Sequence, residues 1–252
     1  MRKICTLLTL AVLPLVLFAQ QYTGMSGLIH VPSADMDSAG DIRIGSHFLN
    51  REFLPDEAFE FNGSKYHSVD FYASITPFSW IEIGYTFTLR KGNRGDWDSA
   101  ATGYNRKDQY FSLKLRPLSE KPGKWWPSIA VGTNDPQTGG DAHQKVEKNR
   151  NQHFGNYYIA ASKHYMLWRQ EFGIHLAYRW FKRTYNRKWN GVVGGVTYRP
   201  SFAPAFRGIV EYTGDDVNVG IDCLLCRHLR MQVSLQNGKY FTGGLCYQAN
   251  LF

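Results

Sequence analysis

The chain has 252 residues, and its 29 lysines and arginines against 21 aspartates and glutamates give a formal net charge of +8. This mild basic excess suits acidic polymers or lipid headgroups, but a charge that serves solubility would look the same, so it selects no partner. Aromatic residues make up 15% of the chain and glycines number 24, yet the mean hydropathy is negative. That combination disfavours a helical core and suits strands with one apolar and one polar face.

The first 19 residues have the three parts of a secretory signal peptide. Two basic residues precede an apolar run from Ile4 to Phe18, and the sequence turns polar at Gln20, so we expect cleavage after Ala19. The run of about 15 residues is short for a membrane-spanning helix, and no cysteine follows it where a lipid-anchored protein carries its acylated residue. We therefore expect a mature protein that leaves the inner membrane without a lipid anchor.

From Asp41 to the C-terminus, apolar and polar residues alternate in a series of runs. Residues typical of turns lie between one run and the next. In the clearest run, residues 171–181, one face is wholly apolar and consists of Phe172, Ile174, Leu176, Tyr178 and Trp180. Such runs begin near residues 42, 67, 80, 108, 127, 155, 170, 190, 206, 217, 229 and 239. Their length is close to the roughly 9–11 residues that a tilted strand needs to cross a membrane. The pattern predicts an all-β fold, a transmembrane antiparallel up-and-down β-barrel of about 12 strands.

Long and short connections largely alternate, as in barrels with long outer loops and short periplasmic turns. With a periplasmic N-terminus, the outer connections are 50–66, 90–107, 135–154, 181–190, 213–216 and 237–238. The periplasmic ones are then 76–79, 117–126, 165–169, 200–205 and 227–228. Several tryptophans near strand ends either form a girdle at the lipid headgroups or pack against turns, namely Trp80, Trp125, Trp126, Trp168, Trp180 and Trp189.

The chain ends in an aromatic residue, as barrels recognised by outer-membrane assembly machinery commonly do. Phe252 is one step out of phase with the apolar face of the last run. A bulge at Gly243–Gly244 would restore the phase, because glycine pairs in strands often mark bulges.

The alternation also places twelve charged residues on the inward face of the barrel. They are Arg43, Asp70, Glu82, Lys114, Arg116, Glu171, Arg179, Arg199, Arg207, Glu211, Asp222 and Arg230. Buried charges are costly unless they are paired or hydrated. The set therefore predicts either a salt-bridged network that blocks the bore or the lining of a wetted passage, and the network suits a barrel of this size better.

No catalytic constellation stands out. The eight histidines are scattered, and the sequence has no H-E-x-x-H, no G-x-S-x-G and no clustered metal-ligand spacing. Ser128, Ser162 or Ser234 could be paired with a histidine only arbitrarily, and we interpret His175 as a lumen residue among polar neighbours. We therefore expect no catalytic residue, no metal site and no cofactor.

The three cysteines after the expected cleavage site cannot form a fully paired disulfide framework. Cys223 and Cys226 end an alternating run, where residues three apart lie roughly 10 Å apart and point to opposite faces. We interpret both, together with Cys246, as small packing residues without a disulfide.

Residues 22–45 contain the string G-L-I-H-V-P-S-A followed by two further glycines. This stretch resembles the opening motif of the YjbH family, outer-membrane proteins associated with exopolysaccharide and capsule production. The motif residues here are Gly27, Leu28, Pro32, Ser33, Ala34, Gly40 and Gly45. The segments DQYFSLKLRPLSE, WWPSIAVGTNDP, ASKHY and EYTGDDVNVGID also look similar, so the resemblance covers most of the chain. These motifs consist of glycines, prolines and strand residues rather than catalytic groups.

The resemblance implies a non-enzymatic component of exopolysaccharide or capsule production or export in the outer membrane of a Gram-negative bacterium. Its partners would be outer-membrane lipid, acidic polysaccharide, and periplasmic or lipoprotein components of an export system, with no nucleic acid. Family members are often much longer, so the remaining part is expected to be absent or supplied by a partner. The alternatives are a barrel enzyme that modifies lipid or polysaccharide, a general porin, or a structural anchor.

We divide the chain into a signal peptide at 1–19, an N-terminal periplasmic or plug segment at 20–40, and a barrel at 41–252. Glycine and proline punctuate the short apolar run 27–34, which predicts an extended segment that ends at a turn. Two placements of this segment stay open. It is either an extra edge strand or periplasmic latch, or a plug folded into the bore.

Overall fold

The structure is a computed structural model, and it describes residues 20–55, 58–93, 102–136 and 152–252. The expected signal peptide at 1–19 and the central parts of the expected outer loops 90–107 and 135–154 lie outside the described residues. In the described part of the chain, no helix combines the length and apolar character needed to cross a membrane.

The alternating runs form strands because aromatic and β-branched side chains pack well on a pleated surface. The strands in the described ranges are β1 (Asp41–Leu49), β2 (Glu60–Phe61), β3 (Ser64–Lys65), β4 (Ser68–Phe78), β5 (Ile81–Asn93), β6 (Thr102–Leu118), β7 (Ser128–Asn134), β8 (Asn156–Leu167), β9 (Gln170–Phe181), β10 (Gly191–Arg199), β11 (Phe206–Tyr212), β12 (Val217–Leu225), β13 (Leu229–Gln236) and β14 (Tyr240–Asn250). Two short 3₁₀ helices cover Arg51–Phe53 and Thr184–Trp189.

Twelve strands of the described ranges, β1 and β4 to β14, close into one antiparallel barrel. Each wall strand from β4 onward pairs with the next along the chain, and the seam joins β1 to β14, with Asp41 opposite Asn250. The short strands β2 and β3 form a separate hairpin. The structure confirms the predicted up-and-down barrel and its number of strands.

The connections follow the predicted division between the two ends of the barrel. One end carries the turns between β4 and β5, β6 and β7, β8 and β9, β10 and β11, and β12 and β13. The other end carries the remaining connections, including the long ones that follow β1, β7 and β9. The side of the membrane on which each end lies stays a prediction.

The barrel wall has apolar side chains on its outer face and polar side chains on its inner face, the reverse of a soluble protein. On β9, Ile174 and Leu176 are 53% and 56% exposed, whereas the intervening His175 is 2% exposed. Large apolar side chains cover the outer face of the other strands in the same way, for example Ile44, Phe111 and Val192. An apolar outer face around a polar interior is the pattern of a barrel surrounded by lipid.

Among the tryptophans that the structure describes, Trp80, Trp125, Trp168 and Trp180 are exposed, Trp126 is partly buried and Trp189 is buried. Trp80, Trp125 and Trp168 are exposed and lie at or beside the short turns, as a girdle requires. Trp189 is 2% exposed, and its ring lies 5.0 Å from that of His30. Of the two alternatives, packing therefore holds for Trp189, because the second 3₁₀ helix folds this residue over the lumen instead of presenting it to lipid.

The last strand contains no bulge. Its register with β1 and β13 runs without a shift, so the bulge considered at Gly243–Gly244 is absent from this described strand. The strand ends at Asn250, and Phe252 lies beyond it with its ring against Gly40, which has a φ of +88°. Phe252 does not follow the alternation of β14 because it lies beyond the end of that strand.

The cysteines within the described ranges, Cys223, Cys226 and Cys246, are all free. Cys223 is buried in β12, while Cys226 is exposed in the turn that follows, with a φ of +50°. The two residues therefore do not share one extended run, because the strand ends at Leu225.

Candidate functional site

Residues 20–37, called the plug from here on, lie inside the barrel, and every one of them is buried. The plug folds back on itself, with the backbone N–H of Tyr22 donating to Ile29 at 3.2 Å and that of Leu28 donating to Val31 at 3.0 Å. Gly24 turns the chain with a φ of +85°, a conformation that favours glycine. The plug is not an edge strand, since both edges of β1 are already paired.

Glu211 on β11 holds the centre of the plug. Its carboxylate accepts the backbone N–H groups of Ile29 at 3.0 Å, His30 at 2.8 Å and Val31 at 3.0 Å. Asn218 on β12 donates to the same carboxylate at 2.8 Å. Successive N–H groups that converge on one anion form a concave anion-binding nest, which here satisfies the buried charge of the wall.

A second anchor joins the plug to β5 and β6. The backbone N–H of Ser26 donates to Glu82 at 2.8 Å, and the hydroxyl of Ser26 contacts the same carboxylate. Lys114 donates to the Ser26 hydroxyl at 2.7 Å and to the backbone carbonyl of Asp35 at 2.8 Å. Lys114 and Glu82 are also paired with each other at 3.4 Å, so both charges are compensated inside the lumen.

A third anchor is Arg179 on β9. It donates to the backbone carbonyls of His30 at 2.8 Å and Thr213 at 3.1 Å. The His30 ring stacks on Tyr22 with ring centroids 5.3 Å apart. Burial, together with the adjacent Arg179 and Lys188, lowers the pKa of His30 well below its ordinary value. His30 is therefore held in its neutral form.

Glycines on the inner wall make room for apolar plug side chains. An added Cβ at Gly84 on β5 would lie 2.6 Å from the sulfur of Met25, and one at Gly195 on β10 would lie 2.6 Å from Leu28 Cδ1. Larger residues at these positions would displace the plug. The inner wall is therefore complementary in shape to the side chains of the plug.

The fit also closes the bore next to His30. The gap lined by His30, Phe53, Trp189, Thr213, Asn218 and Gln236 leaves no volume for a water molecule. The connection after β1 contributes Phe53 to this seal, and the second 3₁₀ helix contributes Trp189. The lumen at this level is a packed core rather than a channel.

The residues singled out from the sequence meet in this site. Gly27, Leu28, Pro32, Ser33 and Ala34 belong to the plug, Gly40 lies at its exit, and Gly45 lies on β1. Of the twelve charges placed on the inner face, ten are buried, while Arg116 and Glu171 near strand ends are partly exposed. Ion pairs join Arg43 to Asp37, Lys114 to Glu82, Arg199 to Glu171, and Arg207 to Asp222.

The barrel also assembles a cluster that the linear sequence does not reveal. Asp35 of the plug meets His164 on β8 and His175 on β9, with one ligand atom of each within 4.8 Å of the others. Glu120, in the turn between β6 and β7, contacts His164 Nδ1. Burial raises the pKa of Asp35, but His175, His164, Arg207 and Lys114 outweigh it and hold that pKa below its ordinary value. Only the pairing of β8 with β9 brings the two histidines together, and no spacing rule contains that information.

Ser162 and His175 lie close together without forming a hydrolytic triad. The Ser162 hydroxyl lies 2.9 Å from His175 Nδ1, but Asp35 faces the same nitrogen at 3.7 Å. A triad needs the serine and the carboxylate on opposite ring nitrogens. All three side chains are also buried, and Ser162 already accepts the backbone N–H of Ala34 at 2.9 Å. The arrangement suits a structural hydrogen bond better than a nucleophile.

Comparison with solved structures finds outer-membrane barrels of low similarity. Outer membrane phospholipase A from Escherichia coli is 10% identical with a TM-score of 0.35, over 85% of this chain and 98% of that chain. The Salmonella typhi outer membrane phospholipase dimer with bound calcium has the same identity and TM-score, over 85% of this chain and 92% of that one. No curated protein matches the chain.

Comparison with protein-family models gives a match over nearly the whole chain. The model is YjbH, described as exopolysaccharide biosynthesis protein YbjH, and it matches residues 19–252. The matched range contains the plug, the seam and all twelve wall strands described above. The chain therefore belongs to the YjbH exopolysaccharide biosynthesis family.

Proposed function

We propose that this protein is a non-enzymatic component of exopolysaccharide production or export in the outer membrane, with a bore that the plug closes at rest. The observation that carries the exopolysaccharide role is the family match over residues 19–252. The observation that carries the closed state is the plug, which fills the lumen and bonds to the charged inner wall.

The outer membrane is the location that the wall supports best. A closed antiparallel barrel pairs each wall strand with a neighbour on both sides, as lipid requires, and the outer face of this one is apolar. Acidic polysaccharide and the periplasmic or lipoprotein components of an export system are the partners we propose, on the basis of the family.

A role without chemistry is favoured by the geometry of the one serine and histidine pair discussed above. Ser162 and His175 are 1% and 2% exposed, so a lipid or a sugar chain has no approach to them while the plug is in place. Ser162 already accepts the backbone N–H of Ala34 in the plug at 2.9 Å, which is a structural task.

Gene deletion and bilayer recordings test the proposal. Deletion should lower surface polysaccharide and leave lipid acylation unchanged, and the wild-type gene should restore the polysaccharide. The purified protein in a planar bilayer should show little steady conductance. A large constant conductance would favour a porin, and an altered lipid profile with normal polysaccharide would favour an enzyme.

A further inference from the structure

Asp35, His164 and His175 form a compact set of oxygen and nitrogen donors between the plug and the wall. His164 Nε2 lies 3.7 Å from Asp35 Oδ1, and His175 Nδ1 lies 3.7 Å from Asp35 Oδ2. The side chains of Asp35 and His175 are 2% and 0% exposed, and that of His164 is 18% exposed. We propose that these three residues bind a divalent transition-metal ion, with Zn²⁺ as the best match, and that the ion fastens the plug to the wall.

The distances suit such an ion. With bonds of about 2.0–2.1 Å, two ligands of a tetrahedral zinc ion lie roughly 3.3 Å apart. The two contacts at 3.7 Å, which involve different oxygens of Asp35, need to shorten by a few tenths of an ångström. The widest separation, within 4.8 Å, needs to shorten by up to about 1.5 Å, so binding requires the side chains to move together around the ion. Imidazole with carboxylate is a donor set that zinc accepts readily, whereas calcium and magnesium prefer oxygen donors throughout.

The imidazoles are oriented as metal ligands are. Glu120 contacts Nδ1 of His164 and also accepts its backbone N–H at 3.1 Å, which leaves Nε2 to face Asp35. His175 lies with Nε2 3.2 Å from the hydroxyl of Thr197, so a proton on Nε2 leaves Nδ1 with its lone pair. That nitrogen lies 2.9 Å from the Ser162 hydroxyl and 3.7 Å from Asp35 Oδ2, so an ion bound there would replace the contact with Ser162. Hydrogen bonds from the remote ring nitrogen fix the tautomer of metal-binding histidines in just this way.

An unsatisfied atom supplies a second, independent indication. Asp35 Oδ2 is buried and accepts no hydrogen bond from any residue that the structure describes. Buried carboxylate oxygens normally have a partner, and their few exceptions often mark an ion or water site. A cation between Asp35 Oδ2 and the two imidazoles would supply that partner.

The nearby positive charges do not oppose an ion as strongly as their number suggests. Lys114 lies near the backbone of Asp35, but it is paired with Glu82 at 3.4 Å. Lys163 lies 3.3 Å from Glu120 on the outer side of His164. Arg207, which also acts on Asp35, is paired with Asp222. The carboxylate of Asp35 therefore remains available as a ligand, and three protein ligands leave a fourth position for water.

The test is metal binding by the purified full-length protein in detergent micelles, prepared with an affinity tag that contains no histidine. One equivalent of Co²⁺ should produce the visible absorption of a four-coordinate site, and Zn²⁺ should abolish it. Asp35→Asn and His175→Gln should each lose this signal, while His228→Gln in an exposed turn should keep it. Absence of binding, or equal binding by all four proteins, would overturn the proposal.

Two further measurements keep the test decisive if a ligand variant folds poorly. Glu120→Gln alters only the group behind His164 and should weaken Zn²⁺ binding roughly 10- to 100-fold. In the wild-type protein, Zn²⁺ should slow amide hydrogen exchange in residues 33–37, and a chelator should reverse this. Exchange that is unchanged at saturating Zn²⁺ would contradict an ion that fastens the plug. The proposal does not depend on the role in exopolysaccharide production.

Discussion

Arg179 donates a hydrogen bond of 2.8 Å to the backbone carbonyl of His30, although 149 residues separate them in the chain. The contact joins Arg179, near the end of strand β9, to the plug. A buried guanidinium that meets carbonyl groups is well satisfied, so it holds the plug without needing a carboxylate partner of its own. The closed bore therefore rests on backbone contacts as much as on ion pairs.

The first prediction concerns the central anchor. Glu211→Gln should loosen residues 29–31, because an amide cannot replace a carboxylate that accepts three N–H groups and Asn218. The expected loss is about 1.5–3 kcal/mol, typical of hydrogen bonds to a charged group. Hydrogen exchange of the plug measures it, with Glu60→Gln on an exposed strand as the control. Equal exchange in both variants would show that Glu211 is not an anchor.

The second prediction concerns pH and follows from His30. Because its pKa in the folded protein is lowered, the folded state binds fewer protons than a free plug does below about pH 6.5. Seating of the plug should thus be strongest above this pH and weaken below it, by up to about 1.4 kcal/mol per pH unit. His30→Phe should flatten this part of the pH profile. A variant with the same slope as the wild type would assign the effect to other groups.

The third prediction concerns the lipid face. Ile174→Arg should impair assembly, because a basic residue near the middle of the bilayer costs a barrel roughly 2–4 kcal/mol. Heat-modifiable migration on a gel reports folding, and Asp215→Arg in an exposed turn is the matched control. Arg179 on the inner face of the same strand should act through the plug instead. Equal tolerance at 174 and 215 would argue against a membrane strand.

The fourth prediction concerns topology, and the native Cys226 makes it testable. Cys226 is exposed in the turn between β12 and β13, at the end we assign to the periplasm. A membrane-impermeant thiol reagent should therefore leave it unlabelled on intact cells. Asp215→Cys in a Cys226→Ser background should react, since the turn between β11 and β12 lies at the opposite end. The reverse labelling pattern would invert the assignment.

The strands could be predicted from the sequence because apolar residues recur at every second position. This period indicates which face of each strand contacts lipid. The same rule placed Arg43 and Glu211 inward without any knowledge of their partners. It does not extend to Trp189, which lies in a 3₁₀ helix without such a period, so only its position near a strand end suggested a girdle. It placed His175 in the lumen but gave no hint that His164 lies beside it, because their proximity depends on the register between two strands and on Asp35 from the plug.

The contacts of the plug reach far around the wall. Besides Glu82, Lys114, Arg179 and Glu211, the plug is bonded to Ser74, Thr86, Ser162 and Gln232. These residues belong to strands spread around the circumference, so the plug connects many wall strands to one another. Loss of the plug removes contacts from many strands at once. The wall and the plug should therefore unfold in a single cooperative transition rather than one after the other.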